Sequence, residues 1–155
     1  MVLGAGGAAR AVVHAVLSAG ARSVHIVNRN PARAVTVAQG FGERVSAHGI
    51  EDEARLMSAA DLLVNTRPAH APDGEALPIT DLAGLADAAL VTDIVYVPVE
   101  TPLLAAARAR GLRTADGLGM LLHQAVPGFE RWFGVTPQVD EALRSLVLSD
   151  IEKGV

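Results

Sequence analysis

The first ten residues contain the feature that most restricts how this chain can fold. A short apolar run at residues 1–3 leads into the glycine-rich segment GAGGAA at residues 4–9, and an apolar stretch with helical spacing follows directly. This order predicts a strand, a tight glycine turn and a helix. Glycines at such a turn let a diphosphate approach the unpaired N–H groups of the helix N-terminus. We therefore interpret the opening as a nucleotide-binding turn, in which Gly4 makes the turn and Gly6 admits the diphosphate; the alternative is a purely structural turn.

Length and composition restrict the class of protein. The 155 residues, half of them apolar, are enough for one well-packed core, so we expect a single domain. A net charge of −4 provides no basic field for a nucleic-acid backbone, and no apolar run reaches the roughly 20 residues that a bilayer span requires. The absence of cysteine excludes a thiolate metal site, and the five histidines lack metal-ligand spacing. We expect a cytoplasmic protein that binds no nucleic acid, membrane or metal.

Apolar runs without alternation, typical of buried parallel strands, alternate with helical segments along the chain. Strands are predicted at residues 1–3, 23–27, 44–47, 62–65, 90–94 and 112–114. Helices are predicted at residues 8–18, 31–39, 51–59 and 102–110, and two more close the chain at 118–132 and 138–148. This alternation predicts an α/β fold, a doubly wound parallel sheet of the Rossmann-like kind with C-terminal helices. Residues 66–80 contain three prolines and are predicted to form a mobile loop.

The end of the second predicted strand carries arginines where an acidic residue would select NAD. In dinucleotide-binding folds, an Asp or Glu at this point accepts hydrogen bonds from the ribose 2′-hydroxyl. Here residues 27–33 read VNRNPAR, with no acid. Arg29 and Arg33, four positions apart, are spaced to bracket a 2′-phosphate with charge-assisted hydrogen bonds. The pattern favours NADP over NAD; the alternative is two solvated surface charges.

Two polar residues end later strands. Asn65 closes the fourth predicted strand and Asp93 lies near the end of the fifth. The carboxyl edge of an open parallel sheet is where ligands bind, so both are candidates for the site. Either could instead be an ordinary strand-end residue that caps the next turn, and for Asp93 the two interpretations have equal weight.

Five successive motifs resemble those of the shikimate dehydrogenase family. They are GAGGA at residues 4–8, NR at 28–29 with Arg33, VNT at 64–66, DIVY at 93–96 followed by TPLL at 101–104, and DGLGML at 116–121 with Gln124. The resemblance spans the whole chain but covers only the family's C-terminal, cofactor-binding half. It implies one NADP-binding domain over residues 1–155, whose partner is an N-terminal substrate domain outside this sequence. The three residues before Gly4, where a strand averages about 5–6, also suggest part of a longer protein.

The resemblance implies NADPH-dependent, reversible reduction of 3-dehydroshikimate to shikimate in aromatic amino acid biosynthesis. It assigns the diphosphate to Gly6, Gly7 and Ala8 after the Gly4 turn. It assigns the rest of the cofactor to Asn28, Arg29, Asn30 (where the family usually has threonine), Arg33, Asn65 and Thr66, and the nicotinamide to Ile94, Gly117 and Met120. It assigns the substrate to Tyr96 and Gln124. The alternative for Tyr96 is a core residue whose hydroxyl reaches solvent, and the alternative for Gln124 is a half-buried amide with its hydrogen bonds satisfied.

The resemblance also predicts that this chain holds no catalytic residue. In the family, a lysine and an aspartate of the N-terminal half exchange the proton, and the only lysine here is Lys153, near the C-terminus. Losing a positioned acid typically costs about 10²–10⁴-fold in rate, so the chain alone is expected to be nearly inactive. The alternatives are an inactive nucleotide-binding or partner-binding module and a quinate dehydrogenase relative that accepts NAD. The sequence makes no prediction of oligomeric state.

Overall fold

Six parallel strands form one sheet in the computed structural model, which describes residues 1–68 and 80–154. The strands are β1 (Val2–Leu3), β2 (Val24–Val27), β3 (Val45–His48), β4 (Leu62–Asn65), β5 (Leu90–Asp93) and β6 (Arg113–Ala115). Their order across the sheet is β3-β2-β1-β4-β5-β6. The order reverses between β1 and β4, and the crevice at such a switch point is where open α/β sheets bind ligands. The predicted α/β, doubly wound fold is confirmed.

Helices cover both faces of the sheet. They are α1 (Gly7–Ser18), α2 (Pro31–Ala38), α3 (Glu53–Met57), α4 (Pro102–Ala109), α5 (Gly117–Phe133) and α6 (Glu141–Lys153). One buried cluster packs α1 and α2 on one face through small side chains such as Ala9 and Ala34. A second buried cluster packs α3 and α4 on the other face through Leu56 and Leu104. Both faces being covered explains why the strands read as continuous apolar runs.

Four helices begin at a side chain that accepts a hydrogen bond from the first turn. The pairs are Asn30 with the N–H of Ala32 (3.1 Å), Thr101 with Leu104 (3.3 Å), Asp116 with Leu118 (3.0 Å) and Asp140 with Leu143 (2.8 Å). Such caps satisfy N–H groups that have no partner within the helix. The last cap also explains a difference from the sequence prediction, which began this helix at residue 138. Because Asp140 supplies the cap, α6 begins at Glu141 and continues to Lys153.

The C-terminal helices leave an apolar surface uncovered. We call it the α5–α6 apolar surface. Its members are exposed apolar residues on α5, just after α5 and on α6: Phe129, Trp132, Phe133, Val135 and Leu146. Trp132 is 79% exposed, and no residue of α6 is buried. The rings of Phe129 and Phe133 pack together with centroids 4.5 Å apart, and exposed aromatic clusters are typical of interaction sites.

Two further observations concern the part of the chain that the structure describes. No helix there has the length and apolar character needed to cross a membrane. No group of three or more His, Asp or Glu side chains there is arranged to hold a metal ion. Most of the loop predicted to be mobile, residues 69–79, lies outside the described residues.

Candidate functional site

The glycine turn after β1 depends on Gly4. Its N–H donates to the carbonyl of Val27 (2.9 Å), so the turn is attached to the end of β2. Its φ of +102° is a conformation that side-chain-bearing residues rarely adopt, and a Cβ there would lie 2.7 Å from Oγ1 of Thr66. That hydroxyl donates to the carbonyl of Leu3 (2.7 Å). The turn is therefore held between the ends of β2 and β4, at the switch point of the sheet.

The N-terminus of α1 has no side-chain cap. Gly6 occupies the cap position without a side-chain hydrogen bond, and the first turn contains no acidic residue. A Cβ on Gly6 or Gly7 would meet no atom within 4 Å among the described residues. The first-turn N–H groups thus receive no side-chain cap from Gly6, and the helix dipole adds a partial positive charge. This arrangement suits an anionic group.

A cleft of ≈ 340 Å³ lies between α1 and α2. Its lining includes Gly6, Gly7, Arg10, Arg33 and Thr36. Among residues 1–68 and 80–154, no carboxylate lies within 4.0 Å of Arg10 or Arg33, whereas four other arginines there do form such ion pairs with carboxylates. The cleft therefore combines a helix N-terminus with two guanidinium groups whose charge those residues leave unbalanced.

The β2–α2 connection shapes one side of this cleft. Nδ2 of Asn28 donates to the carbonyl of Asn30 (2.8 Å), and the backbone N–H of Asn28 donates to the carbonyl of His48 (3.2 Å). Asn30 caps α2, and Arg29 is exposed. These three predicted cofactor residues do not line the cleft. The structure brings together Gly6, Gly7 and Arg33 of the predicted set.

The ends of β4 and β5 are joined by a buried polar network around Asp93, which is 2% exposed. Its Oδ1 accepts from Nδ2 of Asn65 (3.0 Å) and from the N–H of Val95 (3.1 Å), and its Oδ2 accepts from the hydroxyl of Thr101 (2.9 Å). Three donors thus satisfy this buried carboxylate. The network fixes both ends of the segment that connects β5 to α4, which carries Ile94 and Tyr96.

A second cleft, of ≈ 450 Å³, opens at the carboxyl ends of β4 and β5. Thr66, Ile94 and Tyr96, all predicted site residues, line it together with Arg67 and others. Arg67 donates from Nε to Oδ1 of Asn65 (3.2 Å), and its Nη1 lies 3.8 Å from Oε2 of Glu53. The charge of Arg67 is thus partly balanced by an acid.

The N-terminus of α5 approaches the β5–α4 connection closely. A Cβ on Gly117 would lie 2.5 Å from the carbonyl oxygen of Ile94 and 2.6 Å from that of Val95. Only glycine permits this contact, which puts the start of α5 against the second cleft. Met120 and Gln124, further along α5, are exposed and line neither cleft.

Asp116 connects the start of α5 to α6. Its carboxylate accepts from Nη2 (2.6 Å) and Nη1 (3.2 Å) of Arg144. Burial acts to raise the pKa of Asp116, but the hydrogen bonds and charge of Arg144 and the N–H groups of Leu118 and Gly119 outweigh it. They hold the pKa below its usual value.

Comparison with known proteins places these features in a family. The sequence model of Shikimate / quinate 5-dehydrogenase matches residues 1–97, and that of the Shikimate 5′-dehydrogenase C-terminal domain matches residues 117–146. The chain belongs to the shikimate/quinate 5-dehydrogenase family. The resemblance seen in the sequence motifs is confirmed.

Individual members of the family are similar over nearly all of this chain. It is 52% identical over 153 residues to the shikimate dehydrogenase (NADP(+)) of Rhizobium meliloti, covering 99% of this chain and 53% of that protein. It is 60% identical over 156 residues to that of a Chelativorans species, covering 99% and 54%. The chain thus spans about half the length of these curated relatives.

Solved structures of the family share the fold. Quinate dehydrogenase from Corynebacterium glutamicum in complex with NAD superposes with a TM-score of 0.83 at 34% identity, over 96% of this chain and 54% of that one. Shikimate 5-dehydrogenase from Thermus thermophilus in complex with NADP(H) and shikimate gives 0.73 at 33% identity, over 99% and 54%. Both confirm a Rossmann-like dehydrogenase fold for this family member.

Two cations of this shikimate/quinate dehydrogenase chain were not among the predicted site residues. Arg10 directly follows the GAGGAA segment, and a cation at that position is a sequence signal that the prediction did not use. Arg67 follows the VNT motif directly, but its place in the second cleft depends on contacts with Asn65 and Glu53 that the sequence does not reveal.

Proposed function

We propose that this chain is the NADP-binding half of a shikimate dehydrogenase, an enzyme that reversibly reduces 3-dehydroshikimate to shikimate with NADPH. The observation that carries the proposal is the uncapped N-terminus of α1 beside two guanidinium groups without carboxylate partners among the described residues. The names of the curated relatives, which are NADP(+) enzymes, support the same cofactor.

The residues present fit a phosphorylated dinucleotide. The open space over Gly6 and Gly7 accommodates a diphosphate, whose charge the N-terminus of α1 favours. The end of β2 offers Arg29 and Arg33 and no acid, so it suits a 2′-phosphate and provides no carboxylate for a free 2′-hydroxyl.

The second cleft fits the reacting end of the cofactor. Ile94 of this cleft, together with Gly117 and Met120 of the adjacent helix α5, would flank the nicotinamide ring. When bound, that ring supplies the hydride that reduces the substrate carbonyl. The network of Asn65 and Asp93 holds the cleft wall in one position, which is how a protein contributes orientation to such a reaction. The hydroxyl of Tyr96 and the amide of Gln124 would then bind polar groups of the substrate.

The proton for this reaction has no donor of the expected kind in the chain. A carbonyl that receives hydride becomes an alkoxide that needs a proton. The only lysine, Lys153, ends α6, and its Nζ lies 4.0 Å from Oδ1 of Asp150 on the exposed side of that helix. We therefore assign the catalytic lysine and aspartate to an N-terminal half that these 155 residues do not include.

The exposed α5–α6 apolar surface is consistent with contact to a second domain. The curated relatives are about twice as long as this chain, and covering exposed aromatic side chains is the usual role of a neighbouring domain. We assign this surface to contact with the N-terminal half.

Cofactor titration tests the proposal. The full chain is titrated with NADPH and NADH while cofactor fluorescence and binding heat are recorded. We expect micromolar affinity for NADPH and at least about tenfold weaker binding of NADH, the difference expected for one phosphate contact. Arg33→Met should reduce the preference. Arg22→Met, which replaces an exposed arginine before β2, should leave it unchanged. Equal affinity for both cofactors in the unmodified chain would contradict the proposal.

A second candidate is a quinate dehydrogenase that uses NAD, favoured by the TM-score of 0.83 to the Corynebacterium glutamicum enzyme in complex with NAD. The arginines at the end of β2 argue against it. Competition decides between the two: displacement of bound NADPH by 2′,5′-ADP but not by 5′-ADP supports the NADP enzyme, and the reverse order supports the NAD enzyme.

A further inference from the structure

We propose that Arg10 is an additional specificity residue of the cofactor site, which binds the 2′-phosphate together with Arg33. The proposal rests on the proposed NADP-binding function and adds to it a residue that neither the sequence motifs nor the comparisons assign. It concerns how the cleft between α1 and α2 recognises a phosphorylated ribose.

Arg10 and Arg33 project into the same cleft from different helices. Arg10 lies in the first part of α1, directly after the open glycine turn, and Arg33 lies in the first turn of α2. Both line the cleft of ≈ 340 Å³ along with Gly6 and Gly7. Both arginine side chains therefore border the space that a group bound in this cleft would occupy. Phosphate accepts bidentate hydrogen bonds from such planar groups, which makes arginine the preferred side chain for this task.

The charges of the cleft lack a counter-ion among the described residues. In residues 1–68 and 80–154, Arg55, Arg67, Arg108 and Arg144 each lie within 4.0 Å of a carboxylate. Arg10 and Arg33 do not. Two cations that border one small cleft give it a positive potential, which favours a dianionic phosphate.

The contact that Arg10 makes within the protein is weak. Its Nη2 donates to the carbonyl oxygen of Thr36 at 3.5 Å, and the side chain is exposed. A hydrogen bond of that length contributes little to stability. The guanidinium therefore borders the cleft without a strong hydrogen-bond partner among the described residues, which leaves it available to a ligand.

The chain offers a matched control for this contact. Arg44 is also exposed, and its Nη1 also donates to a backbone carbonyl, that of Ala21, at 3.5 Å. It lines a different depression, next to His14 and Phe41, that contains no glycine of the turn. Substituting Arg44 thus removes the same charge and the same type of contact from a place where no cofactor is proposed.

Arg10→Met, Arg10→Lys and Arg44→Met are compared with the unmodified full chain. Dissociation constants for NADP and NAD are measured by calorimetry at one ionic strength, and the melting temperature is recorded for each variant. We expect Arg10→Met to weaken NADP by about tenfold or more while NAD changes little, so that the ratio of the two constants falls. Arg10→Lys, which keeps the charge, should retain part of the ratio, and Arg44→Met should retain all of it.

Each outcome has one meaning. An unchanged ratio in Arg10→Met, with or without a lower melting temperature, overturns the inference and leaves Arg10 as a contact between α1 and α2. Equal weakening of both cofactors also overturns it, because it would assign Arg10 to the diphosphate. If the unmodified chain does not bind NADP, the proposed function itself fails, and this is seen before any variant is tested.

Discussion

Arg144 of α6 donates two hydrogen bonds, of 2.6 and 3.2 Å, to the carboxylate of Asp116, the residue that caps α5. No residue of α6 is buried, so this ion pair is the principal polar link between that helix and the start of α5. Because α5 begins beside the second cleft, the link connects the C-terminal helix to the geometry of the site.

Arg144→Met should loosen α6. Both side chains are partly buried, and the pair is bidentate, so we expect a loss of roughly 1 kcal/mol in the free energy of unfolding. Hydrogen exchange of α6 should increase more than exchange of the sheet. Lys153→Met is the control, since that lysine lies 4.0 Å from Asp150 with both side chains more than half exposed. Equal effects of the two substitutions would contradict a specific role for Arg144.

The same pair predicts a pH dependence. The pKa of Asp116 lies below its usual 3.8 in the folded chain, so its ionisation stabilises the fold above the unfolded-state pKa. That contribution is lost as the pH falls through the lower, folded-state pKa. Urea unfolding between pH 6 and pH 3 should show the difference between the unmodified chain and Asp116→Asn shrinking at the acid end. A difference that grows on acidification would show that the sign is wrong.

Gly4→Ala should be among the most destabilising alanine substitutions in the chain. It combines a φ of +102° with a Cβ 2.7 Å from Oγ1 of Thr66. Gly20 has a similar φ of +95° but open space around its Cβ position, so Gly20→Ala measures the backbone strain alone, about 1 kcal/mol. Chemical denaturation of both variants separates the clash from the strain. Equal losses would mean that Thr66 moves aside without cost.

Gly117→Ala should displace the start of α5. Its Cβ would meet two backbone carbonyls at 2.5 and 2.6 Å, and backbone atoms cannot rotate away as a side chain does. Gly119, two positions later in the same helix, has open space at its Cβ position. Gly119→Ala should therefore be neutral or stabilising by up to about 1 kcal/mol, whereas Gly117→Ala should lower the melting temperature and weaken cofactor binding. Similar melting temperatures would contradict the close approach.

Thr101→Val tests the buried network around Asp93. The change removes the hydroxyl that donates to Asp93 (2.9 Å) and that caps α4 at Leu104 (3.3 Å). Leaving a buried carboxylate oxygen without its donor and losing a cap should together cost about 2–3 kcal/mol. Thr101→Ser keeps the hydroxyl and should recover most of that free energy in thermal unfolding. Failure of serine to do so would assign the effect to packing.

Local patterns were sufficient to predict most of the fold. The starts of α2 and α4 were predictable because Pro31 and Pro102 occupy first helical positions, and the strands because their apolar runs are buried on both faces. The start of α6 was misplaced by three residues since helical spacing alone does not distinguish which of several polar residues, here Asp140, supplies the cap.

The site was only partly predictable. The glycine motif predicted Gly6, the spacing of arginines after β2 predicted Arg33, and the family resemblance added Gly7; the structure places all three in the lining of the cleft between α1 and α2. Arg10, which we propose as a further residue of this cleft, was not predicted, because the sequence does not report which side chains of two helices line the same cleft. The same holds for Arg67 and Arg144, whose partners lie in other elements.

The exposed aromatic end of α5 has a practical consequence. Trp132 is the only tryptophan in the chain and is 79% exposed, so the emission of this fluorophore reports on whatever covers that end of the helix. Burial of this single indole by a binding partner should appear as a blue shift of its emission, with no label added.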